Sequence, residues 1–261
     1  AFGYFPAMTH SQVPRFTHTF VIYEDPTLPK GYQNKLFGIE PLQGRVVYSD
    51  VQGEGSTFKT EDLGFPLKTT DTWFRPVDIQ VGPDGAIYVA DLYEQRIDHA
   101  SHYQGRVDKT NGRIYRLRPS EGWKPSSFDV AGWSNQELFG LFKSDIRLHR
   151  QIAIRLLKNR RLSKDDLHQL HQLFHSDDAL VALNALWTYQ VTGHYNLKVA
   201  LSALTSPHDT VRSWSIRLAA DHLELDEPYQ AALVRTATSE PSVHVRSQLA
   251  ATARRVPSQL F

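Results

Sequence analysis

Cysteine is absent from the 261 residues. That excludes a disulfide framework, a thiolate zinc site, an iron–sulfur cluster, a thiol nucleophile and a covalently attached c-type haem within this chain. No run of about 18 uninterrupted apolar residues occurs, so no segment reads as a transmembrane helix. An excess of one charge is missing too: 29 Lys and Arg stand against 28 Asp and Glu, for a net charge of +1. Phosphate backbones need a concentrated basic face, so nucleic acid is not an expected partner. There is no Gly-x-x-x-x-Gly-Lys-(Ser/Thr), no Gly-x-Gly-x-x-Gly and no Gly-x-Ser-x-Gly, which leaves nucleotide binding and serine hydrolysis without their local signatures. The N-terminal residues lack the basic start, apolar stretch and small-residue cleavage site of a signal peptide. The chain opens at Ala1 instead of Met and stops at Phe261 just after a helical pattern, and the expectation is a piece of a longer protein.

What is present is ordinary in amount and uneven in placement. Apolar residues make up 41% and charged residues 22% of the chain, enough to bury one large core or two smaller ones. Most of the 15 glycines and 14 prolines lie at or before Pro125, so turn-forming residues are concentrated in the first half. Short turn-bounded segments rich in β-branched and aromatic residues read as strands there: 15–23, 35–39, 44–48, 76–81, 86–90 and 113–117. Pro83-Asp84-Gly85 reads as a tight turn in which glycine supplies a positive φ.

The strand segments carry an internal echo. Leu36 to Glu40 followed by Gln43-Gly44-Arg45-Val46 matches Ile87 to Asp91 followed by Glu94-Gln95-Arg96-Ile97 at a constant offset of 51. Several strands per unit at such a period predict blades of a β-propeller, each needing a neighbour to bury both faces. Two units do not close a ring, so the expected domain, residues 1–120, is a partial propeller holding its last blades.

From about Ser134 the pattern turns helical and a second repeat appears. Arg150, Ala182, Arg212 and Arg246 each lead an apolar helical segment, at spacings of 32, 30 and 34. Helix starts are expected just before them, at 144–145, 176–177, 207–209 and 240–242. Paired helices that leave a face unburied until a neighbour stacks on them predict an α-solenoid. The fold class expected is therefore multidomain β plus α, with a linker at 121–133 and four HEAT-like repeats over 134–261. The three arginines are expected to bridge adjacent repeats. Trp187 and Trp214 are expected in the core.

The stretch Trp73-Phe74-Arg75-Pro76-Val77-Asp78-Ile79-Gln80-Val81-Gly82-Pro83-Asp84-Gly85 continuing to Asp91 resembles the glucose/sorbosone dehydrogenase-like propellers, in particular the large membrane-bound dehydrogenase-type proteins of Planctomycetes and Verrucomicrobia. Leu28 to Phe37, Gln43 to Val46, and Tyr93-x5-His99-x2-His102 leading to Gly112 to Leu117 add to the likeness, which covers roughly residues 14–118. In that family a helical-repeat segment follows the propeller. The resemblance implies an exported or periplasmic protein with a six-bladed propeller, whose relatives oxidise sugars or alcohols with pyrroloquinoline quinone and calcium. It also implies a redox partner, in many relatives a C-terminal haem domain whose Cys-x-x-Cys-His motif this chain lacks. The catalytic base would lie in earlier blades, so none is assigned to a residue here.

The densest polar cluster runs from Asp91 to Asp108 and includes Tyr93, Glu94, Arg96, Asp98, His99, His102 and Arg106. Convergent acids, imidazoles and guanidiniums in such a loop could hold calcium, with Asp91 as ligand, or an anionic quinone, with Arg96, His99 and His102 as contacts. The structural alternative is that Asp91 caps a turn, Arg96 pairs with an acid and the histidines tie the loop down. Glu40 and Arg45 occupy the echoed positions and read as a bridge. Arg75 and Arg113 are further candidates for anion contact. His168, His171 and His175 share a helix face at a spacing that could offer two imidazoles to a metal, with a solvated face as the alternative. The rival function is a non-catalytic binding or scaffold protein that recognises a glycan or a protein.

Overall fold

The computed structural model describes residues 19–96, 98–105, 108–124, 128–221 and 225–255. The part of the first expected strand before Thr19, and Arg106 of the polar cluster, lie outside them. The chain divides into two compact units. Asp145–Leu148 group with the residues up to Phe128, and Asp129–Ser144 group with the chain from His149 onward.

The first unit is two antiparallel meanders. One sheet runs β1 (Phe20–Tyr23), β2 (Lys35–Glu40), β3 (Arg45–Glu54) and β4 (Thr57–Lys68) in chain order. The other runs β5 (Pro76–Val81), β6 (Ile87–Asp91) and β7 (Arg113–Leu117), with a short helix α1 (His99–Tyr103) between its last two strands. The sheets meet where β5 touches β1 and β2. One apolar core serves both: Tyr23, Phe37, Ile39, Val46, Phe74, Ile79, Ile87 and Val89 are all buried in it. β6 alternates buried and half-buried residues along its length, as a strand with one face on a core must.

Strand β4 is absent from the expected set, and its sequence explains why. Gly64 and Pro66 interrupt it and its residues are largely exposed. Proline is tolerated because β4 is the last strand of its sheet, where a missing N–H breaks no ladder, and a register shift opposite Tyr48 absorbs Gly64.

The turn at Pro83-Asp84-Gly85 forms as expected, with Gly85 at φ +73°. It also docks the sheets together. The Tyr23 hydroxyl, fully buried, donates to the Gly85 carbonyl at 2.7 Å and accepts the Leu28 amide at 3.0 Å. Burial pushes the Tyr23 phenol well above its ordinary range. A side chain at Gly85 would place its Cβ 2.1 Å from Thr27 Oγ1 and 2.6 Å from Asp25 Oδ1, so the glycine is required by packing as well as by φ.

The second unit is helical: α2 (Asn135–Gly140), α3 (Arg147–Leu157), α4 (Lys164–Phe174), α5 (Ala179–Val191), α6 (Leu197–Leu204), α7 (Asp209–Ala220), α8 (Glu227–Ser239) and α9 (Val243–Ala253). Helices α2 and α4 each begin in a capping box, Ser134 with Glu137 and Ser163 with Asp166. Consecutive helices pair as α4 with α5 and α6 with α7, and each pair stacks on the next through α5 against α7, α7 against α9 and α6 against α8. Helix α5 is buried on nearly its whole circumference, from Val181 through Tyr189, which is the signature of a helix with neighbours on all sides.

The recurrent arginines do one job at one spacing. The Nη1 atoms of Arg150, Arg212 and Arg246 donate to the carbonyls of Ser144, Ser206 and Glu240, each six residues back in the turn before the helix. Arg212 also reaches forward, with a bidentate pair to Glu240 at 2.9 and 2.7 Å. Arg212 thus bridges forward as expected, and for each of the three the recurring bond is to its own preceding turn. Other groups join successive turns: His208 Nε2 contacts the Ser176 carbonyl and Ser242 Oγ donates to Asp209 Oδ2, both at 2.9 Å. The rings of Trp187 and Trp214 meet edge to face at 5.1 Å.

Candidate functional site

The Asp91 to Asp108 loop is held at both ends by buried carboxylates. Asp91 closes β6, and its Oδ1 accepts the backbone amides of Arg75 at 2.7 Å and Tyr93 at 2.8 Å. Its Oδ2 is buried and has no hydrogen-bond partner among the described residues. Glu94, also buried, accepts the Asp108 amide through Oε2 at 2.9 Å. Asp108 in turn takes the Asn111 side-chain amide and the Thr110 amide and hydroxyl. Those bonds, led by Asn111, hold its carboxyl down to about 2.

Arg75 locks the loop from below. It is buried, and its guanidinium donates to four backbone carbonyls: Glu94 at 2.7 Å, Pro41 at 2.7 Å, Thr72 at 3.1 Å and Gln95 at 2.5 Å. One side chain thus spans the loops of both sheets. With four of its five N–H donors spent, Arg75 is a structural tie and offers little to an outside anion.

The residues singled out from sequence fall in different places. Asp91 faces inward. Arg96 is 80% exposed and pairs with Asp98. His102 is an exposed residue of α1 whose ring meets that of Tyr103. His99 opens α1, and its side chain lies outside the described residues. Among the described residues no three His, Asp or Glu side chains are grouped to hold a metal ion. Calcium takes six to eight oxygens, so one unpartnered Asp91 oxygen is a single ligand and the described residues do not fit a calcium–quinone centre.

The echo between the sheets acquires a different meaning in three dimensions. Glu40 pairs in register with Arg45, and Asp91 pairs in register with Arg113, not with Arg96. The strand of the motif recurs at an offset of 51, but the Gly-Arg that opens its partner recurs at 68, because a long loop replaces the short turn between β2 and β3. Glu40 and Arg45 do form a bridge, at 3.1 Å. Burial raises the Glu40 carboxyl above its usual range, against the opposing pull of Arg45.

What the loop presents outward is aromatic. Tyr93 has φ +56°, a left-handed conformation that costs a non-glycine residue roughly 1–3 kcal/mol and is kept only where its surroundings impose it. Here the Asp91 carboxylate fixes its amide and two side chains fix its ring. The Trp73 ring lies 5.6 Å away at 33°, and the Arg113 guanidinium stacks 3.8 Å from the Tyr93 centroid. Asp71 accepts from Arg113 at 3.3 Å, and its Oδ1 takes the Trp73 amide at 2.9 Å. Trp73 and Tyr93 are both half-buried, and Arg113 is exposed. Of this group the sequence reading placed Tyr93 in the polar cluster and Arg113 among the anion candidates. It left out Trp73 and Asp71, whose signal was their position just before β5.

Residues 5–121 match the family described as "Domain of unknown function (DUF7133)", a match that takes in both sheets. A comparison with curated proteins finds no match.

Proposed function

We propose that this chain is a recognition and scaffold protein whose β unit binds an oligosaccharide on the Trp73–Tyr93 surface. The observation that carries the reading is the strained, half-exposed Tyr93 fixed between Trp73 and Arg113. An aromatic surface with a polar rim suits a sugar: the half-buried Trp73 ring, braced by Tyr93, takes its apolar C–H face, and Asp71 and Arg113 can accept from and donate to its hydroxyls. The two meanders are read as successive propeller blades and the helix pairs as HEAT-like repeats that act as scaffold. Loop ends of blades are where such folds place their ligands.

The test is a glycan array followed by calorimetric titration with the retained oligosaccharide. Trp73→Ala is expected to weaken binding by about tenfold or more, the loss of one stacking contact. No retained glycan, or affinity unchanged in both Trp73→Ala and Tyr93→Ala, would sink the proposal.

A second reading follows from the resemblance over residues 14–118, toward which Asp91 Oδ2, unpartnered among the described residues, could supply a single ligand. It makes this chain the blade-bearing portion of a sugar or alcohol dehydrogenase of the periplasm, its quinone–calcium centre completed elsewhere and its electrons passed to a haem partner. Calcium-dependent uptake of pyrroloquinoline quinone by the full-length protein, lost in Asp91→Asn, supports it. Absence of uptake removes it.

A further inference from the structure

The helical unit contains a cavity of about 440 Å³ beside α4 and α6, and its lining has one sign of charge. Lys164, His168 and His171 come from one face of α4, His194 from the turn after α5 and Lys198 from the first turn of α6. No Asp or Glu lines it. The α6 N-terminus, capped by Asn196 on the Val199 amide at 3.1 Å, adds the positive end of its dipole. At the base the rings of Phe174 and Tyr189 meet edge to face at 5.8 Å and supply an apolar floor. The volume is that of a small-molecule site, and the combination of a cationic rim with an aromatic floor is selective for charge and for body at once.

We propose that this cavity binds a small organic anion, a carboxylate or phosphate monoester attached to an apolar body. The Lys164 and Lys198 ammoniums disfavour a metal cation, and among the described residues no three His, Asp or Glu side chains are grouped to hold one. His171 shows the repulsion that an anion would relieve. Although the residue is exposed, its imidazole is held below the ordinary range by partial loss of water around the ring first, then by His175, Lys198 and His168. The groups around it are His168, His175 and Lys164 of its own helix and end, Tyr189 of α5, His194 of the following turn and Lys198 of α6. An anion favours the protonated ring, so binding takes up a proton and tightens as pH falls. This site is independent of the β-unit surface and stands or falls without it.

The experiment is calorimetric titration of the full chain with benzoate, phenyl phosphate, inorganic phosphate and neutral benzyl alcohol. One of the two aromatic anions is expected to bind at least about tenfold more tightly than inorganic phosphate or benzyl alcohol, and which one wins separates the carboxylate from the phosphate source. Affinity should rise between about pH 7.5 and about pH 5.5. His171→Ala and Lys198→Ala, both at exposed positions, should each weaken binding by about tenfold and leave the thermal melting curve in place. Equal affinity for the neutral alcohol overturns the proposal, as does binding that ignores both substitutions. So does no binding of either aromatic anion at millimolar concentration.

Discussion

The two units solve the same problem, buried polar groups in need of partners, by opposite means. The β unit relies on single residues used once. The Arg75 side chain donates to four carbonyls drawn from three loops, and the Tyr23 hydroxyl ties β1 to the β5–β6 turn. The helical unit repeats one device, an arginine in the first turn of a helix bonded to the carbonyl six residues back, at Arg150, Arg212 and Arg246. Helix pairs that pack in series offer equivalent local positions, so a local bond can be copied from one to the next, whereas a junction between sheets has no second copy. Damage should therefore be sharp in the first unit and graded in the second.

The largest effect is expected at the sheet junction. Gly85→Ala adds a left-handed strain and a Cβ that collides with Thr27 and Asp25, for a loss of about 3–4 kcal/mol. Amide hydrogen exchange in β1, β5 and β6 reads it, and unchanged protection there would break the comparison. Next comes Arg75→Lys. An ammonium has three donors and no fork, so the buried carbonyl bonds to Glu94 and Pro41 and the part-buried ones to Thr72 and Gln95 cannot all be kept, at a cost of about 2–3 kcal/mol. Faster exchange should appear in the 92–112 loop before the strands.

The smallest of the three is Glu240→Gln in the helical unit, with a loss of about 1.5–3 kcal/mol, because Arg212 keeps its bonds to Ser206 and Pro207. The bonds from Arg212, the largest cause, hold the Glu240 carboxyl below its ordinary 4.5. A depressed carboxylate contributes stability that is whole above 4.5 and lost as pH falls through the lower folded value. Stability of α7 and α9 measured across that window should decline on acidification in the parent chain and lose that part of its slope in Glu240→Gln. A loss at Glu240 as large and as local as at Gly85 would erase the distinction between the units.

Much of this was legible in local chemistry. The change from glycine- and proline-punctuated strands to helical periodicity marks the passage from β to α. Asp-Gly at 84–85 announced its turn, and the helix starts expected at 207–209 and 240–242 fall at the heads of α7 and α9. The miss at β4 is physical: an exposed edge strand needs neither an apolar alternation nor freedom from Gly and Pro, so the usual signals are weak there. The polar cluster was legible as a cluster and not as roles. Asp91 receives two backbone amides and Arg96 turns to Asp98, as the structural alternative held, and neither is visible from spacing.

By itself the sequence determined most of the strands, the passage from strands to helices, the turn at 83–85, and that no thiol chemistry takes place within the chain, because those depend on backbone sterics, periodicity and composition close along the chain. Only the tertiary structure decided that Arg113, not Arg96, stands opposite Asp91, since a long loop inserted between β6 and β7 moves the register partner without altering the motif. Only it brought Trp73 to Tyr93, and Lys164, His168 and His171 to His194 and Lys198. Groups that far apart in sequence meet through packing, and the free energy of that packing belongs to the whole core and to no local motif.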